Sequence, residues 1–383
     1  MSHPPSGADI LFETEDVAVI LVPGPNTRQV VVTFTTRLPS PQRHPVSGQE
    51  GFGRDYFTKA GISAFHVVPK WNHWWQSEHM DQTIETIRRH IPPGREVWTY
   101  GASMGGTGAL MFARPLEATG VLALYPQASV DLTHASFDPR WIDDRQRIAR
   151  HDDSWLDHPP TANTWLLSDP KFSLDQKHID MIKQDYDGIC LIPLDFSEHS
   201  CMRMLQECGM LSATIRSIFD GSFKPQTFRS AIRRARHRSP VALTGAANAL
   251  ARRGKQQLAC RFSSAAVTLL TQTKQEGRSL DPATTVLAMH SHAINLVRAR
   301  NRKGASNYLR HLRDAPLISV DPNLLAAIII YWNTKHLGQA VAARQRAGLN
   351  CAPNLLAHIS PLGWAHILLT GEYRWRRQTG ASL

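Results

Sequence analysis

No stretch of about 18 apolar residues runs anywhere in the chain, so the sequence offers no membrane-spanning helix. Cysteine is scarce. Cys190, Cys201, Cys208, Cys260 and Cys351 are scattered, and none forms a Cys-x-x-Cys pair, which argues against a disulfide framework and against a zinc site. The first residues, Met1 to Gly7, lack the charged-then-apolar layout of a secretory signal, so a reducing cytoplasm is the expected location. No Gly-x-x-x-x-Gly-Lys-Ser/Thr phosphate loop occurs, and His290-Ser-His292 has no evident ligand partners. Neither metal nor cofactor is expected. Acidic residues are scarce in one half only. Residues 1–220 hold 19 Lys and Arg against 27 Asp and Glu, whereas residues 221–383 hold 24 against 5. An acidic half followed by a strongly basic one implies two modules with different surfaces.

What is present in the first module is alternation. Residues 17–22, 29–35 and 63–68 are strand-like apolar runs, and Pro23-Gly24-Pro25-Asn26 is a turn. Met80, Ile84, Ile87 and Ile91 fall at helical spacing before Pro92-Pro93-Gly94 stops the helix. Residues 96–100, 121–125, 164–167 and 189–194 read as further strands, with helices over 106–116, 175–183 and 201–211. Such alternation predicts a doubly wound α/β fold with a mostly parallel sheet. Residues 127–163 interrupt the rhythm, as a cap over the sheet or as a long surface excursion.

From about residue 223 the strand signals cease. An arginine-rich stretch over 223–240 reads as a linker or solvated helix. Beyond it, Gly254, Gly304 and Gly338 punctuate helical pairs, and Gly304 to Gly338 matches the 34-residue tetratricopeptide period. Ala340, Ala343 and Ala347 keep helical spacing in the third unit. An all-α domain of helical hairpins, tetratricopeptide-like, is expected over 241–383, after a first domain over 1–222.

The chemistry lies in Tyr100-Gly101-Ala102-Ser103-Met104-Gly105-Gly106. This Gly-x-Ser-x-Gly pattern sits between a predicted strand and a predicted helix, as a nucleophile elbow requires. The serine occupies a strained turn, and its neighbours two residues away must be small because strand and helix crowd together. The backbone N–H of Met104 then points where an oxyanion would form. A serine at neutral pH needs a base. His199, after the last strand, is the expected one. The expected acid is Asp169, at the end of the strand before it, with Asp175 six residues on as the alternative. A second oxyanion donor is expected near Thr35 or Thr36.

Residues from about 17 to 215 resemble the α/β-hydrolase superfamily, through this elbow, an acid after a late strand and a histidine after the final strand. The resemblance implies a serine nucleophile, Ser103, served by His199 and Asp169. It also implies a serine esterase that cleaves an acyl ester through an acyl-enzyme, or an acyltransferase with the same residues. A non-catalytic scaffold using the helical array is the remaining alternative. Trp71-Asn72-His73-Trp74-Trp75-Gln76 follows a predicted strand, so Trp71 and Trp74 are candidate stacking surfaces for a carbohydrate ester substrate. A protein partner is expected for the helical domain. The basic clusters around Arg233–Arg238 and Arg374–Arg377 read as solvated faces, and nucleic acid is not expected as a partner.

Overall fold

The computed structural model describes residues 9–301, apart from 39–42, 47–48, 159, 161–162, 185 and 187, together with Gly304 and Tyr308. The chain divides into two units, Met1–Ile232 and Arg233–Leu383.

In the first unit the apolar runs become strands β1 (Asp9–Glu13), β2 (Val17–Val22) and β3 (Gln29–Phe34), followed by α1 (Arg54–Ala60), β4 (Ser63–Pro69) and α2 (Met80–His90). Then come β5 (Glu96–Ala102), α3 (Met104–Met111), β6 (Gly120–Leu124), and the short helices α4 (Leu132–Ala135) and α5 (Ile142–Arg145). Next in the unit are β7 (Asn163–Ser168), α6 (Ser173–Lys183), β8 (Ile189–Pro193), α7 (Cys201–Glu207) and α8 (Leu211–Phe219). The eight strands form one sheet in the order β1-β2-β4-β3-β5-β6-β7-β8. From β4 to β8 every pairing is parallel, while β2 runs antiparallel to both its neighbours. The doubly wound α/β expectation stands in this form: a mixed sheet, mostly parallel, with helices between its strands.

The central strands read as continuous apolar runs because both faces are covered. All six residues of β3 and all five of β6 are buried. On α2, Met80, Ile84 and Ile87 turn inward on one stripe, as their spacing predicts. The missed strand is β1, whose mostly exposed edge position leaves a weak pattern.

The residues read as a linker or solvated helix include a helix, α9 (Pro225–Ala235), which is not wholly solvated but buries Phe228 and Ile232. In the second unit, α10 (Pro240–Arg252), α11 (Gln256–Gln275) and α12 (Pro282–Arg298) pack together. Ser239 caps α10 by accepting from the Ala242 N–H at 3.1 Å, with Pro240 at the first helical position. Gly254 has φ of 72°, which lets the chain turn between α10 and α11. Ala266, Leu270, Ala288 and Met289 form the core between α11 and α12. The helical hairpins therefore exist as far as the described residues go. The third expected unit, at Gly338 and Ala340 to Ala347, lies outside them, so the tetratricopeptide resemblance is not carried further. No helix among the described residues is long and apolar enough to cross a membrane.

Candidate active site

Ser103 stands at the turn from β5 into α3 with φ of 53° and ψ of −124°. A non-glycine residue at positive φ is strained, and such strain persists only where the surroundings enforce it. Here packing enforces it. A Cβ on Gly101 would lie 2.0 Å from the Gly105 carbonyl oxygen, and one on Gly105 would lie 2.1 Å from that of Phe34. Only hydrogen fits at either position, so the helix can begin directly against the sheet. The Ser103 N–H is held by the Leu124 carbonyl at 2.9 Å.

The turn aims Ser103 Oγ at His199, whose Nε2 lies 2.9 Å away. His199 Nδ1 lies 2.7 Å from Asp175 Oδ2. Asp175 is fully buried in the first turn of α6. Burial alone would raise its pKa, but the charges and hydrogen bonds of His199 and Arg140 outweigh that and lower it. An ionised Asp175 can only accept, so His199 carries its hydrogen on Nδ1. Nε2 is then left to accept the Ser103 hydroxyl. The His199 ring is wedged edge-on against Tyr125, with centroids 4.6 Å apart, and tilted against Trp141 at 5.8 Å.

Asp169 is not the partner of His199. Its carboxylate accepts from the backbone N–H groups of Lys171 and Glu198, each at 2.9 Å. It therefore braces the loop that carries the histidine, in which Phe196 and Glu198 both have positive φ. Proximity to the strand end favoured Asp169 in sequence. The space is reached instead from the next helix, six residues on.

Met104 begins α3, where the helix offers its backbone N–H no acceptor. Its N–H is therefore a candidate donor beside Ser103. The Thr35 N–H, expected as a second donor, is already given to the Val67 carbonyl at 3.2 Å. Gln127 was not foreseen. It is fully buried, its Oε1 is 3.3 Å from Ser103 Oγ, and its Nε2 donates to the Tyr125 carbonyl at 3.1 Å.

The tryptophan run is structural. Trp74 is 1% exposed and its Nε1 donates to Asp144 at 3.0 Å. Trp71 Nε1 donates to Asp16 at 2.7 Å, and Trp75 Nε1 to the Met104 carbonyl at 2.6 Å. His73 is buried, and burial pushes its pKa down to about 4. Asn72 pairs with both backbone groups of Leu38. The tryptophan that does meet the catalytic candidates is Trp141, from the segment between β6 and β7. Trp71 and Trp74 are thus withdrawn as a stacking platform, because their indole N–H groups and faces are used within the fold.

Two kinds of known protein resemble this chain. Residues 289–373 match the Tn3 transposase DDE domain family. The transposase for transposon Tn3926 of Escherichia coli is 48% identical over 54 residues, which are 14% of this chain and 6% of that transposase. The transposase for transposon Tn501 of Pseudomonas aeruginosa is 47% identical over 55 residues, again 14% of this chain and 6% of the relative. The chain spans only about 5–6% of the length of the curated relatives it matches. Among solved structures, an acetyl ester-xyloside bifunctional hydrolase from Caldicellulosiruptor lactoaceticus is 13% identical, with a TM-score of 0.42, over 58% of this chain and 98% of that one. The capsule O-acetyltransferase of Neisseria meningitidis serogroup A is 15% identical, with a TM-score of 0.37, over 55% of this chain and 92% of that one.

The transposase match overturns several expectations. Acyl ester hydrolysis as the function of the chain does not stand, because a segment of it is similar to transposases. The serine esterase designation, the carbohydrate ester substrate and the exclusion of nucleic acid fall with it. The expectation of an enzyme keeps its coarse form only.

Proposed function

We propose that the chain joins two parts with separate chemistries, and that the first is an enzymatic site in which Ser103 is the nucleophile. The observation that carries this reading is the unbroken hydrogen-bonded line from Ser103 through His199 to the buried Asp175. His199 removes the hydroxyl proton as Ser103 Oγ attacks an electrophilic centre, and Asp175 stabilises the imidazolium that forms. The Met104 N–H is the donor for the negative charge that develops beside it. A fluorophosphonate tests this without any assumption about the natural substrate. Ser103 Oγ bonds to phosphorus, the P–F bond breaks, and fluoride leaves as His199 takes the proton. Labelling should slow by about a thousandfold or more in His199→Ala. An unchanged rate in that variant would remove the base from the account.

A second reading concerns the other part. We infer that residues 289–373 engage DNA, which the transposase relatives support. This segment holds nine Lys and Arg against three acidic residues, Asp314, Asp321 and Glu372, a balance suited to a phosphate backbone. Binding of the full chain to duplex DNA, read by a mobility shift, tests it. No shift at low salt would sink it.

A further inference from the structure

Arg140 joins the segment between β6 and β7 to the acid behind His199. Its Nη2 lies 2.8 Å from Asp175 Oδ1 and 2.6 Å from Asp138 Oδ2, and its Nε lies 2.9 and 3.0 Å from the two oxygens of Asp138. The Arg140 side chain is only 15% exposed, and its guanidinium carbon lies 5.2 Å from the Trp141 ring centroid and 5.4 Å from that of Phe172. Asp138 Oδ2 is also held by His178, whose Nε2 is 3.0 Å away and whose Nδ1 accepts the Ala128 N–H at 3.2 Å. A buried His–Asp pair that takes no part in the line to Ser103 thus anchors Nε and Nη2 of the arginine. The same Nη2 also sits on the oxygen of Asp175 that His199 does not use.

We propose that Arg140 is a positioning residue that sets how strongly Asp175 holds a proton on His199. A carboxylate shared with a guanidinium has less negative potential to offer the imidazole, and its second oxygen is locked so that the first faces Nδ1. This rests on the reading of Ser103 as nucleophile for its functional meaning, but the coupling itself can be measured apart from it. The other groups near His199 are accounted for. Tyr125 and Cys201 are both pushed up by burial and stay neutral, Asp169 is held by backbone N–H groups, and Arg37, 5.5 Å from the Trp141 ring centroid, is paired with Asp144. Arg140 is therefore the cation that acts on Asp175 opposite His199.

The test is an NMR titration of the His199 ring in the full chain, alongside the pH profile of fluorophosphonate labelling. In Arg140→Met the His199 midpoint should rise by roughly one pH unit, since removing a neighbouring cation favours the charged imidazole. The labelling profile should move with it. Arg140→Lys should return the midpoint most of the way, which a purely structural role would not do. If Arg140→Met does not fold, Arg140→Gln reads the same shift. A midpoint within about 0.2 units of the parent in whichever neutral variant folds overturns the proposal. A shifted midpoint in a chain that takes no label would support the coupling and instead count against Ser103 as nucleophile.

Discussion

The two halves of the sequence carry opposite charge and put it to different uses. In the first unit, acidic side chains are drawn inward and matched. Asp138, Asp144 and Asp175 are all buried, each with an arginine or histidine against it. The second half is basic by composition, and the resemblance that marks it lies in residues 289–373 rather than in any single motif. A site built by placement can be inspected atom by atom. A partner inferred from relatedness and net charge must be met in solution. The contrast shows why one chain can resist a single functional label.

The comparison breaks first, and most severely, at the acid. Asp175→Asn should slow labelling at Ser103 by roughly a thousandfold to ten-thousandfold, since an amide no longer fixes the required histidine tautomer. Asp169→Asn should reduce the rate far less and act mainly on stability. A measured order reversed between the two would restore the assignment that sequence position suggests. Next in size is the elbow's packing. Gly101→Ala forces a methyl to within 2.0 Å of the Gly105 carbonyl oxygen, and overpacking against backbone should cost about 3 kcal/mol or more in chemical denaturation. Gly94→Ala, at φ of 76° but with nothing near its added Cβ, should cost about 1 kcal/mol from strain alone.

The second half answers to salt. DNA binding by the full chain should weaken by about a hundredfold or more between 50 and 200 mM salt if several phosphates are contacted. A flat salt profile would break the link between its charge and a nucleic-acid partner. The smallest effect is in acid stability. Asp138 and Asp175 both have lowered pKa values in the folded state, Asp138 despite burial because of His178 and Arg140. Their stabilisation is therefore full above the unfolded carboxylate range near pH 4 and is lost as pH falls below it. Asp169 is shifted the other way, upward by burial, so its protonation opposes that loss. Thermal melts from pH 7 down to 2 should show a midpoint falling below about pH 4, and less steeply in Asp138→Asn.

Much of the first unit was legible because a parallel sheet needs strands apolar on both faces, and β3, β5 and β6 announce themselves as such. Ser103 and His199 were legible because the elbow and the end of the last strand are fixed by chain order. The acid was not. Asp169 and Asp175 both follow β7, and only the path of the chain through α6 decides which reaches His199 Nδ1. Tryptophans misled for a related reason. An indole can stack on a ligand or donate into the core, and only the partner, Asp144 for Trp74, tells which. Arg140 and Gln127 lie in a stretch without periodicity, so nothing local marked them. In the basic half, the Gly254 turn was readable, whereas Gly304 falls in a helix and the turn after α11 is at Gly277; the similarity to transposases extends over 54 residues and no short motif pointed to it.

The central claim is that a strained turn holds the Ser103 oxygen ready for attack. Intact-mass analysis after exposure to a fluorophosphonate measures this directly. One phosphonyl adduct on the full chain, mapped to Ser103 and absent from Ser103→Ala, is the predicted result. No adduct on the parent chain, or an equal adduct on the alanine variant, would contradict it.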